Sequence, residues 1–170
     1  MNISLIGMMG SGKTCIGELL AKLLNMSFVD TDEQIIKTEK TSINQIFAQK
    51  GETYFRKIET ATLKNVLKFN NQIISTGGGI IKSDENLSLL KEKSVVFYLK
   101  ASPDILFERI KNNKERPLLN VENMKDKIKT ILQERISQYE KAQYIIVTDD
   151  KSPIEIANEI IGIINDCVKC

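Results

Sequence analysis

The chain has 170 residues, 42% of them hydrophobic and 27% charged, the composition of one soluble domain with a substantial core. A formal charge of +2 gives no reason to expect nucleic acid or a membrane surface as a partner. Histidine is absent, which excludes histidine base catalysis and any histidine metal site.

The first apolar run, residues 2–6, reads as a strand, and no basic leader with a longer apolar stretch precedes it. A cytoplasmic protein without a signal peptide is therefore the expectation. The strand leads into Gly7-Met8-Met9-Gly10-Ser11-Gly12-Lys13-Thr14, the pattern G-x-x-x-x-G-K-[ST] in full, and a helical pattern follows to about Leu24. Glycines here let the backbone turn tightly and bring N–H groups close to phosphate oxygens. Lys13 can reach the β- and γ-phosphates as a point charge, and the Thr14 hydroxyl can ligate Mg²⁺. The following helix adds the positive end of its dipole. The motif points to a nucleoside triphosphate with Mg²⁺ and is silent about what receives the phosphate.

Further apolar runs at 27–30, 72–76, 94–100 and 143–148 read as strands, most of them Ile/Val-rich and little alternated as expected of strands buried on both faces, with helical patterns between them. Parallel strands joined through helices predict a doubly wound α/β fold, whose sites form where strands end. Strand two ends in Asp30-Thr31-Asp32. If the strand persists, both carboxylates lie on one side, one towards Mg²⁺ through water and one towards an acceptor hydroxyl. An N-cap for the next helix is the alternative. Residues 31–71 read as three helical pieces with a turn at Lys50-Gly51. The last carries a stripe at Phe55, Ile58, Thr62, Val66 and Phe69, and this long insertion suits an acceptor-binding subdomain over about 32–62. Arg56 shares a helix face with Glu52 and Glu59. Strand three ends in Ser75-Thr76 without the acid that P-loop enzymes often carry there, and Gly77-Gly78-Gly79 follows, offering backbone N–H groups and close approach.

The polar stretch 111–120 breaks helical periodicity and reads as a loop within a lid of about 110–124; its Arg116 could swing onto a transferring phosphate. The helix at about 124–139 has its stripe at Met124, Ile128, Ile131, Leu132, Ile136 and Tyr139, and Arg135 faces inward with it. An inward arginine needs an anion, so Arg56 and Arg135 read either as ordinary salt-bridge partners or as two guanidinium forks on a carboxylate substrate. The last helix has Ser152 as N-cap, Pro153 in its first turn and Glu155 completing a capping box. Its apolar run Ile160-Ile161-Gly162-Ile163-Ile164 is far too short to span a bilayer. Three cysteines read as reduced thiols, and the C-terminal Cys167–Cys170 pair lacks the setting of a redox motif.

Taken in order, the cradle, Asp30-Thr31-Asp32, Ser42-Ile43-Asn44-Gln45-Ile46-Phe47, the F-R-x-x-E of Phe55, Arg56 and Glu59, Ser75-Thr76-Gly77-Gly78-Gly79, Arg116-Pro117-Leu118-Leu119 and the R-x-x-x-Y of Arg135 and Tyr139 resemble shikimate kinase along nearly the whole chain. The resemblance implies a three-layer α/β/α P-loop kinase of the nucleoside-monophosphate-kinase type, with a five-stranded parallel sheet in the order 2-3-1-4-5. It implies phosphorylation of the 3-hydroxyl of shikimate by ATP with one Mg²⁺, on the way to chorismate and the aromatic amino acids, in a monomer. Gly10, Ser11, Gly12, Lys13, Thr14 and Cys15 would hold ATP, with Arg109 against the adenine and the lid Arg116 on phosphate. Thr14 and Asp30 would hold the metal. Asp32, Arg56, Gly78 and Arg135 would bind shikimate, with Asp32 as base and Lys13 and Arg116 completing the catalytic set, while Phe47, Phe55 and Glu59 line or brace the acceptor pocket. Cys15 departs from the family, many of whose members carry a hydroxyl residue there, and a thiol is a weak donor. The rival expectations are a kinase of another small acceptor, such as gluconate or a nucleotide, and a nucleotide-binding regulatory module that has lost catalysis.

Overall fold

A computed structural model describes residues 1–111 and 123–169, with side chains through residue 166. The lid arginine Arg116, most of the expected lid and the Cys167–Cys170 side chains lie outside the described residues.

Five strands, β1 (Ile3–Ile6), β2 (Ser27–Asp30), β3 (Gln72–Ser75), β4 (Val95–Lys100) and β5 (Tyr144–Val147), form one sheet in the order β2-β3-β1-β4-β5. Every neighbouring pair is parallel. This is the order that the resemblance implies. The helices are α1 (Lys13–Leu24), α2 (Thr31–Glu39), α3 (Ile43–Val66), α4 (Asp84–Lys93), α5 (Pro103–Ile110), α6 (Met124–Tyr139) and α7 (Pro153–Lys169).

Alternation along the central strands builds the three layers. Ile3 and Leu5 of β1, with Phe97 and Leu99 of β4, pack on Ile16 and Leu20 of α1 and Ile156 and Ile160 of α7. Ile6, Val96 and Tyr98 point the other way, into Leu63 of α3, Leu90 of α4 and Ile128 and Leu132 of α6. The central strands β1 and β3 are buried on both faces. The edge strands depart from the expectation: Ile145 and Val147 of β5 are 43% and 48% exposed, and no residue of β2 is fully buried.

The connection after β2 forms α2 and then α3, which breaks at Gly51, where φ is 78° and ψ is 171°. That left-handed, extended geometry suits glycine and ends a helical run, so the three expected pieces appear as α2 and the two halves of α3. Ile35, Ile46 and Phe55 make a small cluster of their own there. Two expectations are corrected. Phe69 falls beyond the end of α3 and is 67% exposed, so the stripe stops at Val66. Strand two does not persist through Asp32: Asp30 is its last residue and caps α2, which begins at Thr31. At the other end of the chain, Ser152 N donates to Glu155 Oε2 at 2.8 Å and Glu155 N to Ser152 Oγ at 3.4 Å, the expected capping box.

Candidate active site

The cradle leaves β1 with Gly10 at φ 81° and Gly12 at φ 95°, both left-handed and both tolerated because neither carries a Cβ. Gly12 is also the N-cap of α1, and no side chain caps the first amides of that helix. Lys13 folds back over the loop, donating from Nζ to the carbonyls of Gly7 at 2.9 Å and Met8 at 3.0 Å. Ser11 Oγ is buried without a hydrogen-bond partner among the described residues. Uncapped amides, an ammonium group and an unpaired buried hydroxyl make an anion-binding surface. Arg109 of α5 lies across the rim, donating to Gly10 O at 3.4 Å and to the carbonyl of Thr148, just past β5, at 3.1 Å. Cys15 is exposed, and its thiol is not in a disulfide.

Asp30 divides its two oxygens. Oδ1 accepts from the amides of Asp32 at 2.9 Å and Glu33 at 3.3 Å, which fixes the start of α2. Oδ2 accepts from Ser75 Oγ at 2.9 Å and from Thr14 Oγ1 at 3.2 Å. Strand pairing causes the second contact, because Asp30 stands opposite Ser75 in the β2–β3 register. The hydroxyl of Thr14 and the carboxylate of Asp30 are therefore neighbours. Among the described residues, no group of three or more carboxylate or thiol side chains could enclose a metal. Two hard oxygens beside a phosphate cradle fit Mg²⁺, which keeps several waters and shares its shell with substrate phosphates.

Asp32 sits in the first turn of α2, half-buried. The residue between the two aspartates, Thr31, is fully buried and accepts from Gly77 N at 3.2 Å, tying α2 to the triple glycine. None of those three glycines has a positive φ. What they supply is room. A Cβ on Gly77 would stand 2.5 Å from Asp32 Oδ1, one on Gly78 3.4 Å from Gly7 O, and one on Gly79 2.8 Å from Arg56 Nη1. Each glycine thus admits a different part of the site: the acid, the phosphate cradle and a guanidinium.

Arg56 is held by two acids on its own helix. Nε and Nη2 donate to Glu52 Oε1 at 3.2 and 3.1 Å, and Nη1 to Glu59 Oε2 at 2.7 Å. Glu59 is only 1% exposed. Burial pushes its carboxyl up, and the nearby Asp32 charge adds to that, while Arg56 pulls it back down. Arg135 is half-buried and donates to Gly78 O at 3.1 Å, and the hydroxyl of Tyr139 donates to the same carbonyl. Tyr139 is fully buried, stacked on Tyr98 with ring centroids 4.9 Å apart. Burial pushes its hydroxyl up to about 12, so it stays a protonated donor at neutral pH. A cavity of about 350 Å³ runs from Lys13, Thr14 and Cys15 past Asp30 to Asp32 and Gly78, with Arg109 in its lining; Arg56 and Arg135 lie outside that lining.

Of the residues singled out from the sequence, Gly10, Gly12, Lys13, Thr14, Cys15, Asp30, Asp32, Gly78 and Arg109 line one cavity. Arg56 and Arg135 stand beside it, against Gly79 and Gly78. Phe47 and Phe55 instead stack on each other with centroids 4.6 Å apart, away from that lining, and Phe47 is exposed. Four supporting residues were not legible as such. Ser75 reads only as a missing acid, Thr31 as a spacer, Tyr139 as core and Thr148 as a strand end. The hydroxyl-rich ends of β3 and β5 are the available signal.

Substitution of Gly79 tests the packing. Gly79→Ala is expected to lower the melting temperature modestly, because the guanidinium it meets ends a long side chain but is paired with the buried Glu59. It should raise the acceptor KM several-fold by pushing the Arg56 guanidinium aside; an unchanged KM would show that this approach is not used.

The chain is similar to known proteins in sequence and in structure. A protein-family model described as Shikimate kinase matches residues 9–165. The chain is 47% identical over 160 residues to a shikimate kinase of Thermodesulfovibrio yellowstonii, covering 94% of this chain and 92% of that one. It is 43% identical to the shikimate kinase of Aquifex aeolicus, covering 95% and 94%. Among solved structures, a shikimate kinase from Acinetobacter baumannii in complex with shikimate superposes with a TM-score of 0.93 at 36% identity, covering 97% of this chain and 93% of that one. A deoxyadenosine kinase from M. mycoides with bound dATP, at 19% identity and a TM-score of 0.63, shares the fold alone.

Proposed function

The chain belongs to the shikimate kinase family, and from that premise we propose that it transfers the γ-phosphoryl group of ATP to the 3-hydroxyl of shikimate, giving ADP and shikimate 3-phosphate for chorismate and aromatic amino acid synthesis. The observation that carries this reading is a cavity in which the cradle residues Lys13 and Thr14 meet Asp32 and Gly78, with Arg135 donating to the Gly78 carbonyl beside it.

In this reading the amides at the start of α1 and Lys13 gather the triphosphate, and Arg109 lies against the adenine. Thr14 and Asp30 would hold Mg²⁺, which would supply charge neutralisation to the phosphates. Arg56 and Arg135 grip the carboxylate of shikimate from either side of Gly78-Gly79, so that the 3-hydroxyl is presented beside Asp32. Asp32 takes the hydroxyl proton as the new O–P bond forms and the bond to the β-phosphate oxygen breaks. Arg116, whose place lies outside the described residues, is assigned to the phosphates when the lid closes and excludes water. Positioning and charge neutralisation thus do most of the work, as is usual for phosphoryl transfer. A monomer acting in the cytoplasm, where ATP is supplied and a thiol such as Cys15 stays reduced, goes with this reading. None of the described helices is long and apolar enough to cross a membrane.

The test is a coupled ADP-release assay with ATP and Mg²⁺ against shikimate, quinate, gluconate and nucleoside monophosphates. Shikimate should give by far the highest kcat/KM. A higher value for gluconate or a nucleotide would replace the proposed acceptor.

A further inference from the structure

Glu52 raises a charge problem that the proposed clamp has to solve. Arg56 already faces two carboxylates, Glu52 and Glu59, before any acceptor arrives. A guanidinium neutralised twice over would repel a third carboxylate rather than bind it. The structure places a second cation at this point. Lys82, at the end of the 3₁₀ turn Ile80–Lys82 that follows the triple glycine, donates from Nζ to Glu52 Oε1 at 2.8 Å. That is the oxygen on which Arg56 Nε and Nη2 also converge. The Lys82 bond, and after it the Arg56 bond, lowers the Glu52 carboxyl from its usual value, and the carboxylate is shared between the two cations.

We propose that Lys82 is a positioning residue for the acceptor carboxylate: by taking up the charge of Glu52, it leaves the Arg56 fork able to accept an anionic substrate. Two cations, Arg56 and Lys82, face two anions, Glu52 and Glu59, with the Asp32 charge nearby. Without Lys82 the cluster carries an excess negative charge. The edge of Arg56 formed by Nη1 and Nη2 is the one turned to the triple glycine, where a Cβ on Gly79 would stand 2.8 and 2.9 Å away. Glu52 approaches from the Nε side and Glu59 at Nη1, so the two acids also fix the plane of the fork. Lys82 reaches the substrate only through these residues. An ordinary exposed ion pair is the competing account, since Lys82 is 45% and Glu52 52% exposed and such pairs contribute little to stability. It predicts no effect on substrate binding.

This inference rests on the proposed activity, and the experiment separates the two. Steady-state kinetics of ADP release are measured at low and high ionic strength for the wild type, Lys82→Met, Lys82→Arg, Glu52→Gln and the double variant Lys82→Met/Glu52→Gln, with melting temperatures alongside. Lys82→Met should raise the KM for shikimate about 3- to 10-fold at low salt, with kcat and the KM for ATP unchanged, and the increase should shrink at high salt. Lys82→Arg should restore the wild-type KM. In the Glu52→Gln background, where there is no charge to take up, Lys82→Met should have almost no further effect. An unmoved KM in Lys82→Met would overturn the proposal, as would the same increase in the Glu52→Gln background, which would mean that Lys82 acts on the substrate by itself. A wild type that releases no ADP in response to shikimate would remove the functional reading and this inference with it; an active wild type with an unmoved Lys82→Met removes the inference alone.

Discussion

Asp32→Asn is expected to lower kcat by about 10²- to 10⁴-fold while leaving ATP affinity within about two-fold of the wild type, the loss typical of a missing general base. The asparagine side chain has nearly the same shape, so it keeps its place against Gly77, where the space is set by the absence of a Cβ. The cradle is built from other residues, since Lys13 is held by Gly7 and Met8 and Thr14 by Asp30. Removing the Asp32 charge also relieves Glu59, whose carboxyl that charge helps to push up, so the Arg56–Glu59 pair should survive the substitution. Single-turnover phosphoryl transfer and nucleotide titration together check this. Near-normal turnover would remove Asp32 as the base, and a lost nucleotide site would mean that it supports the cradle instead.

Arg135→Lys should raise the KM for shikimate by about 10- to 100-fold with a much smaller change in kcat, because an ammonium group cannot reproduce a planar fork that meets a carboxylate with two N–H groups. One donor of Arg135 is already used on Gly78 O, so the substrate is offered the remainder of the guanidinium. Tyr139 donates to the same carbonyl from the buried side and keeps the glycine turn in place when the arginine is replaced. The expected signature is therefore weaker acceptor binding with a melting temperature close to that of the wild type. An unchanged KM would take the carboxylate clamp away from Arg135 and leave it as a brace for Gly78.

The parallel sheet was legible because runs such as Val95-Val96-Phe97-Tyr98-Leu99 show no alternation of polar and apolar residues, and the phosphate site because each residue of the cradle has its own demand on type. The order of the strands came from the resemblance and not from the runs themselves. The aspartate pair shows the limit. An i, i+2 spacing puts two side chains on one side only if the strand continues, and whether it does depends on where β2 stops pairing with β3. Asp30 is the last paired residue, opposite Ser75, and its side chain caps the helix that starts next. One of its oxygens makes the cap and the other accepts from Ser75 and Thr14, so the capping alternative holds for Asp30. The triple glycine shows the same limit in another form. In sequence it reads as a turn offering amides, but its backbone needs no left-handed conformation. The reason for glycine is the approach of Asp32, Gly7 and Arg56 from three other segments, which no local pattern encodes. Periodicity likewise places Tyr139 in the core correctly and cannot say that its hydroxyl ends on Gly78 O.

The most direct measurement follows ATP, Mg²⁺ and shikimate with the wild-type protein by ³¹P nuclear magnetic resonance, with ADP release quantified in parallel. The account predicts that ADP appears only when shikimate is present, in one-to-one ratio with a new phosphate ester coupled to the proton at carbon 3. ADP release indifferent to shikimate, or a phosphate carried on another hydroxyl, would contradict it.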